Sequence, residues 1–347
     1  MESKKQKGIF VFSIIFYLIA IGLMIAGSLY DLQIDKALFN PESKFAIGFE
    51  TIGLFVYWGM WGPLFTVLFL TRHNLNECLD MLGRVFPFIK TVKDTQTKAY
   101  KFFNFVVQAI WTLGFFVLTD VGWKKLIENV LKNFVDLSQG AYFGICAAVS
   151  VISILIFSRI DKKTLNKLES LALAGVLFGI LLKLVDIPKD IFHRVRFREM
   201  VAASNGIFNE KGLSQGALDG MHTSLNRGMM DGTDFSAFTN WYKIGDDRSI
   251  YAHPSSFPSG HTASSCTLFL SVLFCNAFDK LKKAAPFALA VSVIYVAVMG
   301  FSRMVAGAHY LTDVAGGAIL AYTLFIIVLA VYNKFIDKGI LPTRRFD

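Results

Sequence analysis

The residues best suited to covalent chemistry in this sequence are a histidine and an aspartate four positions apart, His309 and Asp313. Side chains at this spacing share one face of a helix, so the carboxylate can hold one ring nitrogen and leave the other unprotonated and nucleophilic. Arg303 lies six positions before the histidine and adds a guanidinium whose planar fork suits anionic oxygens. A histidine and an aspartate at this spacing more often form an incidental hydrogen bond, but the nearby arginine favours the functional interpretation.

A second cluster, Pro258-Ser259-Gly260-His261, directly precedes an apolar run that predicts a helix. The first turn of a helix presents free N–H groups and the positive end of the helix dipole, which together bind anions. Ser259 could cap the helix or donate a hydrogen bond, and Gly260 would let the backbone approach an anion closely. His261 could release a proton near neutral pH. An ordinary helix start with a serine cap explains the same four residues equally well.

The third cluster is basic and contains Lys189 and Arg196. An ammonium and a guanidinium could hold phosphate oxygens here, although contact with lipid headgroups is the commoner explanation for such a stretch alone. We expect Arg194 and Arg198, which flank the cluster, to be solvated at the surface. Glu50 falls within a predicted membrane span, where we expect it to pair inside the bundle or to reach the interface.

These clusters belong to a chain that is too apolar for a water-soluble protein. Of its 347 residues, 54% are hydrophobic and 18% are charged, whereas soluble domains carry about 25% charged residues. The 35 basic and 26 acidic residues give a net charge of +9, which we interpret as a charge bias across a membrane. Nucleic-acid-binding modules, disulfide-rich secreted proteins and ordinary cytosolic enzymes are therefore disfavoured.

Long apolar runs predict an all-α membrane helix bundle of about eight spans, because a helix of about 20 apolar residues crosses a bilayer. The predicted spans are 8–30, 46–70, 102–119, 141–158, 170–187, 262–278, 285–301 and 314–332. We divide the chain into N-terminal membrane helices at 1–169, a core at 170–332 that includes the long polar loop 188–261, and a tail at 333–347.

The distribution of basic residues predicts the orientation of the chain. Lysine and arginine are denser in the segments that lie inside when the N-terminus is cytoplasmic, so both termini, including the tail 333–347, are predicted to be cytoplasmic. In this orientation the loop 188–261 and all three clusters lie at the extracytoplasmic ends of different spans. The sequence therefore predicts one site at the outer membrane face.

Taken in order, the three clusters resemble the motifs of the type 2 phosphatidic-acid phosphatase family of membrane lipid phosphatases. The family shows Lys-x6-Arg-Pro, Pro-Ser-Gly-His and Ser-Arg-x5-His-x3-Asp, and these patterns begin here at Lys189, Pro258 and Ser302. Phe197 stands where the family usually has proline. The resemblance covers roughly residues 170–332 and implies a helical core of the acid-phosphatase type.

The resemblance implies a two-step hydrolysis through a phosphohistidine. His309 would attack the phosphorus while Asp313 orients its ring, and His261 would protonate the leaving oxygen and then activate water. The phosphate oxygens would be held by five residues, namely Lys189, Arg196, Ser259, Gly260 and Arg303. The resemblance implies no cofactor and no metal ion.

The implied substrate is a lipid phosphate or diphosphate of the plasma membrane, with undecaprenyl diphosphate favoured over phosphatidic acid and related lipids. The expected partners are this substrate and membrane lipids but not nucleic acid, and the sequence leaves the oligomeric state open. A lipid phosphotransferase, which passes the phosphoryl group to another acceptor, remains an alternative. A non-enzymatic lipid transporter or binding protein is a second alternative, which the intact motifs disfavour.

The residue pattern also predicts the response to chelation. No cluster of Cys, His or carboxylate residues in the sequence has metal-ligand spacing, so we expect EDTA to leave phosphate release by the purified protein unchanged. Phosphate release would be measured with EDTA, without it, and with added magnesium. Activity that is lost in EDTA and restored by magnesium would contradict the prediction.

Overall fold

The computed structural model describes residues 2–86, 88–131, 138–207, 225–244 and 255–337. Parts of the predicted loop (208–224 and 245–254) and of the predicted tail (338–347) lie outside the described residues. The described residues form helices, turns and irregular segments without any β-strand, which confirms the predicted all-α class.

The described α-helices range from short polar turns to long apolar segments. In chain order they are α1 (Glu2–Leu38), α2 (Lys44–Ile52), α3 (Phe55–Arg72), α4 (Leu75–Val85), α5 (Lys98–Leu131), α6 (Gln139–Phe157), α7 (Lys162–Leu181), α8 (Asp186–Phe192), α9 (Phe197–Ser204), α10 (Gly260–Ser265), α11 (Leu270–Ala277), α12 (Ala285–Val305) and α13 (Leu311–Asp337). Short 3-10 segments lie at Leu182–Val185, Arg227–Met230, Cys266–Phe269 and Asp279–Ala284.

Seven helical segments of the described residues are long and apolar enough to cross a membrane, so the protein is an all-α polytopic membrane protein. These segments are Phe10–Leu38, Lys44–Arg72, Lys98–Glu128, Gln139–Phe157, Lys162–Phe192, Asp279–Val305 and Leu311–Ile336. The sequence predicts one more span, at 262–278. There the chain forms α10, a 3-10 segment and α11 instead of one uniform apolar helix, because polar side chains are concentrated in its first turns and the Ser265 hydroxyl donates to the Thr262 carbonyl.

The chain divides into two compact units, each made of segments that are distant in sequence. The first contains Met1–Leu54, Leu181–Cys266 and Ala290–Leu324, and the second contains Phe55–Ile180, Thr267–Leu289 and Phe325–Asp347. This grouping does not follow the sequential division into 1–169, 170–332 and 333–347, which stays a prediction.

The first unit joins the N-terminal helix α1 to the last helix, α13. Two hydroxyl pairs link these helices, Ser13 with Tyr322 at 2.9 Å and Tyr17 with Thr323 at 2.8 Å. A buried apolar core surrounds α9 in the same unit and consists of Phe39, Val195, Phe197, Met200, Val201, Ala202, Leu225, Ala237 and Tyr310. This core fixes the end of α1 against the segment that begins α9.

The second unit depends on the close approach of α3 to α5 and α6. A Cβ atom at Gly62 of α3 would lie 2.1 Å from the ring of Trp123 in α5, so a larger residue would separate these helices. The hydroxyl groups of Thr66 and Ser153, both buried, lie 2.9 Å apart and link α3 to α6. Small and hydroxyl-bearing residues thus hold this unit together, as is common where helices pack in membranes.

The contact at Gly62 predicts a stability difference between two glycines. We expect Gly62→Ala to lower the free energy of unfolding by about 1–3 kcal/mol, because overpacking forces the Trp123 ring to move. Gly114→Ala in α5 is the matched control, since a Cβ at Gly114 has no neighbour within 4 Å. Thermal unfolding in detergent measures both variants, and equal unfolding temperatures would contradict the packing described for Gly62.

Candidate active site

The end of α12 brings Arg303 next to His309. Gly307 adopts a left-handed conformation with φ of 63°, and its N–H donates to the Met304 carbonyl at 2.8 Å while the N–H of Ala308 donates to the Arg303 carbonyl at 2.9 Å. These two bonds form the Schellman motif, which ends a helix at a glycine. The N–H of His309 also donates to the Arg303 carbonyl, at 3.3 Å. The spacing between Arg303 and His309 is therefore the length of one helix-ending turn.

The start of α13 places Asp313 beside His309. Tyr310 directly precedes α13, and its N–H donates to the Asp313 carboxylate at 2.9 Å. Nδ1 of His309 lies 3.7 Å from Oδ2 of Asp313, but only 2.7 Å from the carbonyl oxygen of Ser256. Because a carbonyl can only accept a hydrogen bond, Nδ1 carries the proton. Nε2 therefore keeps a lone pair with which it can attack an electrophile.

The imidazole of His309 is uncharged at neutral pH. Burial lowers the pKa of His309 to about 4, and the charges of Arg196 and Arg303 act in the same direction. Asp313 raises this pKa without overcoming the effect of burial. A lowered pKa keeps the ring neutral at every pH well above that value, and the neutral ring is the nucleophilic form.

Ser259 begins α10 and joins it to α13. Its hydroxyl accepts a hydrogen bond from the N–H of Thr262 at 3.3 Å, and its own N–H donates to the Asp313 carbonyl at 2.9 Å. A Cβ atom at Gly317 would lie 2.5 Å from the Ser259 carbonyl oxygen. Glycine at this position therefore lets the loop before α10 contact the helix that carries Asp313.

Lys189 and Arg196 approach the same loop from α8 and from the segment before α9. The Lys189 ammonium lies 3.0 Å from the position that a Cβ atom of Gly260 would occupy, and it also contacts Asp186 at 2.8 Å. A guanidinium N–H of Arg196 donates to the Ser255 hydroxyl at 3.4 Å. Two cations of the third predicted cluster, Lys189 and Arg196, thus border the second cluster.

Phe197, which replaces the proline of the family pattern, is the first residue of α9. Proline is favoured at this helical position because its missing N–H has no intrahelical partner there, so the backbone around Phe197 is one that proline could also adopt. The Phe197 ring packs against Phe39 and Phe235, with centroids 5.1 and 5.2 Å away. Phe197, in place of proline, thus adds an apolar ring to the core, and Arg196 before it has an extended conformation.

His261 lies in the first turn of α10, among the cations of the site. Burial holds the pKa of His261 well below its usual range, and the charges of Arg303 and Arg196 lower it further, whereas Glu50 raises it. His261 is therefore neutral at neutral pH unless an anion offsets these charges. A protonated His309 would lower the pKa of His261 further, so the two imidazoles lie within electrostatic reach of each other.

Arg303 has buried donors that no described residue accepts from. Its side chain is 1% exposed, and Nη2 forms an ion pair with Glu50 at 3.0 Å. Nε and Nη1 of Arg303 have no hydrogen-bond partner among the described residues. Leaving a buried donor unsatisfied is costly, so these two groups favour an anion that accepts from them.

Arg194 is fully buried and bonded to two carboxylates. Its guanidinium donates to Asp313 at 2.5 Å and to Asp31 of α1 at 2.9 Å, while Arg198 donates to Glu50 of α2 at 3.1 Å. Arg194 and Arg198 are 1% and 2% exposed. The expectation that they are solvated at the surface is wrong, because carboxylates from distant helices neutralise both inside the fold.

The structure brings the eight sequence-predicted site residues together in the first unit. They are Lys189, Arg196, Ser259, Gly260, His261, Arg303, His309 and Asp313. Three partners were not predicted, namely Asp31, the Glu50 carboxylate as a partner of Arg303, and the carbonyl group of Ser256. Within the described ranges no group of three or more His, Cys, Asp or Glu side chains could hold a metal ion.

Comparison with known proteins identifies one family. A family model described as the PAP2 superfamily matches residues 164–337, half of the chain. The match includes all eight predicted site residues and leaves out helices α1 to α6. No curated protein and no solved structure matches the chain.

The contact between Gly317 and Ser259 predicts a catalytic defect. We expect Gly317→Ala to slow phosphate release about 10- to 100-fold, because the added methyl group displaces the loop that precedes His261 and a small misplacement has effects of this size. Gly22→Ala in α1 is the control, since no atom lies within 4 Å of a Cβ there. Steady-state rates of both variants measure the effect, and wild-type activity in Gly317→Ala would contradict it.

Proposed function

We propose that this chain, which belongs to the PAP2 superfamily, is a membrane phosphatase that hydrolyses a lipid phosphate or diphosphate through a phosphohistidine. Members of this superfamily are phosphatases, and the long apolar helices make this one a membrane protein. The observation that carries the mechanistic proposal is the bond between Nδ1 of His309 and the Ser256 carbonyl, which leaves Nε2 unprotonated.

In the first step, Nε2 of His309 attacks the phosphorus of the bound phosphate. A bond forms between this nitrogen and phosphorus while the bond between phosphorus and the ester oxygen breaks. His261 gives its proton to the departing oxygen. In the second step, neutral His261 accepts a proton from water, whose oxygen attacks the phosphorus and releases inorganic phosphate from His309.

His261 takes up the proton that it needs in the first step when the substrate binds. Burial, together with the positive charges around His261, holds the pKa of His261 well below its usual range, so the free site keeps this ring neutral at neutral pH. A bound phosphate anion offsets these charges and raises the pKa of His261. Protonation of the acid is thereby coupled to occupation of the site.

The negative charge that spreads over the phosphoryl oxygens in the transition state is met by fixed donors. Arg303 offers Nε and Nη1, which have no partner among the described residues, and Lys189 and Arg196 border the same loop. The N–H groups of the first turn of α10, near Gly260, add their dipoles. Such donors stabilise a transition state because they need no reorganisation as charge develops.

A lipid substrate fits the position of the site at the ends of apolar helices. Lys189, Arg303 and Asp313 lie at the ends of helical segments that are long and apolar enough to span a bilayer, so a headgroup could enter while its hydrocarbon tail stays in the membrane. The distribution of lysine and arginine favours an extracytoplasmic site with cytoplasmic termini, and the family resemblance favours the plasma membrane. Undecaprenyl diphosphate is the favoured substrate, and phosphatidic acid is the next.

A panel of lipid phosphates tests the proposal. The purified chain is incubated in detergent with undecaprenyl diphosphate, undecaprenyl phosphate and phosphatidic acid, and inorganic phosphate is measured. We expect release from at least one lipid, loss of at least about 1,000-fold in His309→Ala, as removal of a nucleophile causes, and inhibition by vanadate. His73→Ala, a histidine 42% exposed in the second unit, is expected to behave as the wild type.

Labelling separates hydrolysis from the two alternatives. A substrate with radioactive phosphorus should give a labelled protein that is stable in base and labile in acid, and His309→Ala should stay unlabelled. Label that appears in an added lipid acceptor instead of inorganic phosphate would identify a phosphotransferase. A wild-type chain that is inert toward every lipid of the panel would contradict the phosphatase and revive the transporter.

A further inference from the structure

Helix α1 lies outside the residues that match the PAP2 superfamily, yet it contributes a side chain to the site. We propose that Asp31 of α1 is a positioning residue for catalysis, which acts through Arg194 to hold Asp313 and the nucleophile His309 in place. This inference rests on the proposed function, and it assigns a role in the proposed hydrolysis to α1, which the family match does not include.

The contacts of Asp31 lead directly to the first turn of α13. One carboxylate oxygen accepts from Arg194 at 2.9 Å and from the Thr312 hydroxyl. The other accepts from the N–H of Thr312 at 3.1 Å. The N–H groups of a first helical turn have no intrahelical partner, so Asp31 supplies an acceptor, and a negative charge, at the N-terminus of the helix that carries Asp313.

Arg194 carries the effect of Asp31 to the catalytic pair. Its guanidinium donates to Oδ1 of Asp313 at 2.5 Å and to the Thr312 hydroxyl at 2.7 Å. A third donor, Nε, is bonded to the Thr239 carbonyl at 2.8 Å. With Oδ1 of Asp313 held in this way, Oδ2 remains for the Tyr310 N–H and the Ser256 hydroxyl.

The loop that contains Ser256 and the start of α13 at Tyr310 are therefore both bonded to the Asp313 carboxylate. Ser256 donates its hydroxyl hydrogen to Asp313 and accepts from Nδ1 of His309 through its carbonyl group. Loss of the Asp31 charge would leave Arg194 with Asp313 as its one carboxylate partner among the described residues. The guanidinium could then shift toward Asp313 and move the carbonyl that fixes the tautomer of His309.

The same helix offers a matched control one turn later. Asp35 is fully buried, as Asp31 nearly is, but neither of its carboxylate oxygens has a hydrogen-bond partner among the described residues. Asp31→Asn and Asp35→Asn make the same chemical change at similar burial. Only the first removes a charge from a bonded network that reaches His309.

The test measures kcat and KM of the full-length chain in detergent, with the lipid phosphate that the wild type hydrolyses best. We expect Asp31→Asn to lower kcat about 10- to 100-fold, because a small misplacement of a reacting group has effects of this size, with KM within about threefold of the wild type. Asp35→Asn should keep kcat within about threefold. Unfolding temperatures of both variants show whether either change acts through stability.

A double-mutant cycle tests whether Asp31 acts through Arg194. Arg194→Lys keeps the charge but loses the fork that reaches two carboxylates, and it should lower kcat by a similar factor. The double variant should be no more than about threefold slower than Arg194→Lys alone, because coupled residues do not have additive effects. Independent effects would multiply instead, and that result would overturn the proposal.

Two further outcomes are decisive. If Asp31→Asn does not fold, Thr312→Val replaces it, because this variant removes the hydroxyl between Asp31 and Arg194 without removing a charge. We expect Thr312→Val to lower kcat at constant KM. A wild-type kcat in this variant would overturn the proposal. An active wild type in which Asp31→Asn equals Asp35→Asn contradicts this inference alone. A wild type that releases no phosphate contradicts the proposed function.

Discussion

The site depends on one buried cation, the guanidinium of Arg194, which lies between the carboxylates of Asp31 and Asp313. A buried charge is tolerated only when its partners are close and its donors are satisfied, and Arg194 meets both conditions with bonds to two carboxylates, a hydroxyl and a carbonyl. Its partners come from α1, from the segment around Thr239 and from α13. The ion pairs therefore determine which segments of the first unit must meet.

Helix ends provide the rest of the architecture. The turn at Gly307 ends α12 and the next residues begin α13, so Arg303 and Asp313 belong to different helices yet flank the same histidine. Ser259 begins α10 at the same place. Because the ends of helices have N–H and C=O groups without intrahelical partners, a site built from them has backbone donors and acceptors available. The Ser256 carbonyl, which lies in the loop before α10, also has no intrahelical partner and is therefore free to accept the hydrogen bond from His309.

Much of this site can be predicted from the sequence, and the reasons are local. The spacing of Arg303, His309 and Asp313 reflects one helix-ending turn and one helix start, and Ser259 is a recognisable helix cap. The burial of Arg194 could not be predicted, because its partner Asp31 is 163 residues away and nothing in a basic stretch shows which cations find carboxylates. The role of the Ser256 carbonyl leaves no mark in the sequence, since every residue has this group. The span predicted at 262–278 is not among the seven long apolar segments of the described residues, because its first turns are polar.

The link between Asp31 and Arg194 also sets the order in which the protein can mature. Ribosomes make α1 first, and Asp31 has to wait for 163 more residues before Arg194 exists, and Asp313 follows 119 residues after that. Until Arg194 is made, Asp31 lacks the guanidinium to which it is bonded in the structure, and carboxylates are expensive in hydrocarbon. We therefore expect Asp31 to stay in a polar surrounding, such as the insertion machinery or the headgroup layer, until Arg194 has been made. Burial of Asp31 and assembly of the segments around His309 are then expected to occur together, late in synthesis.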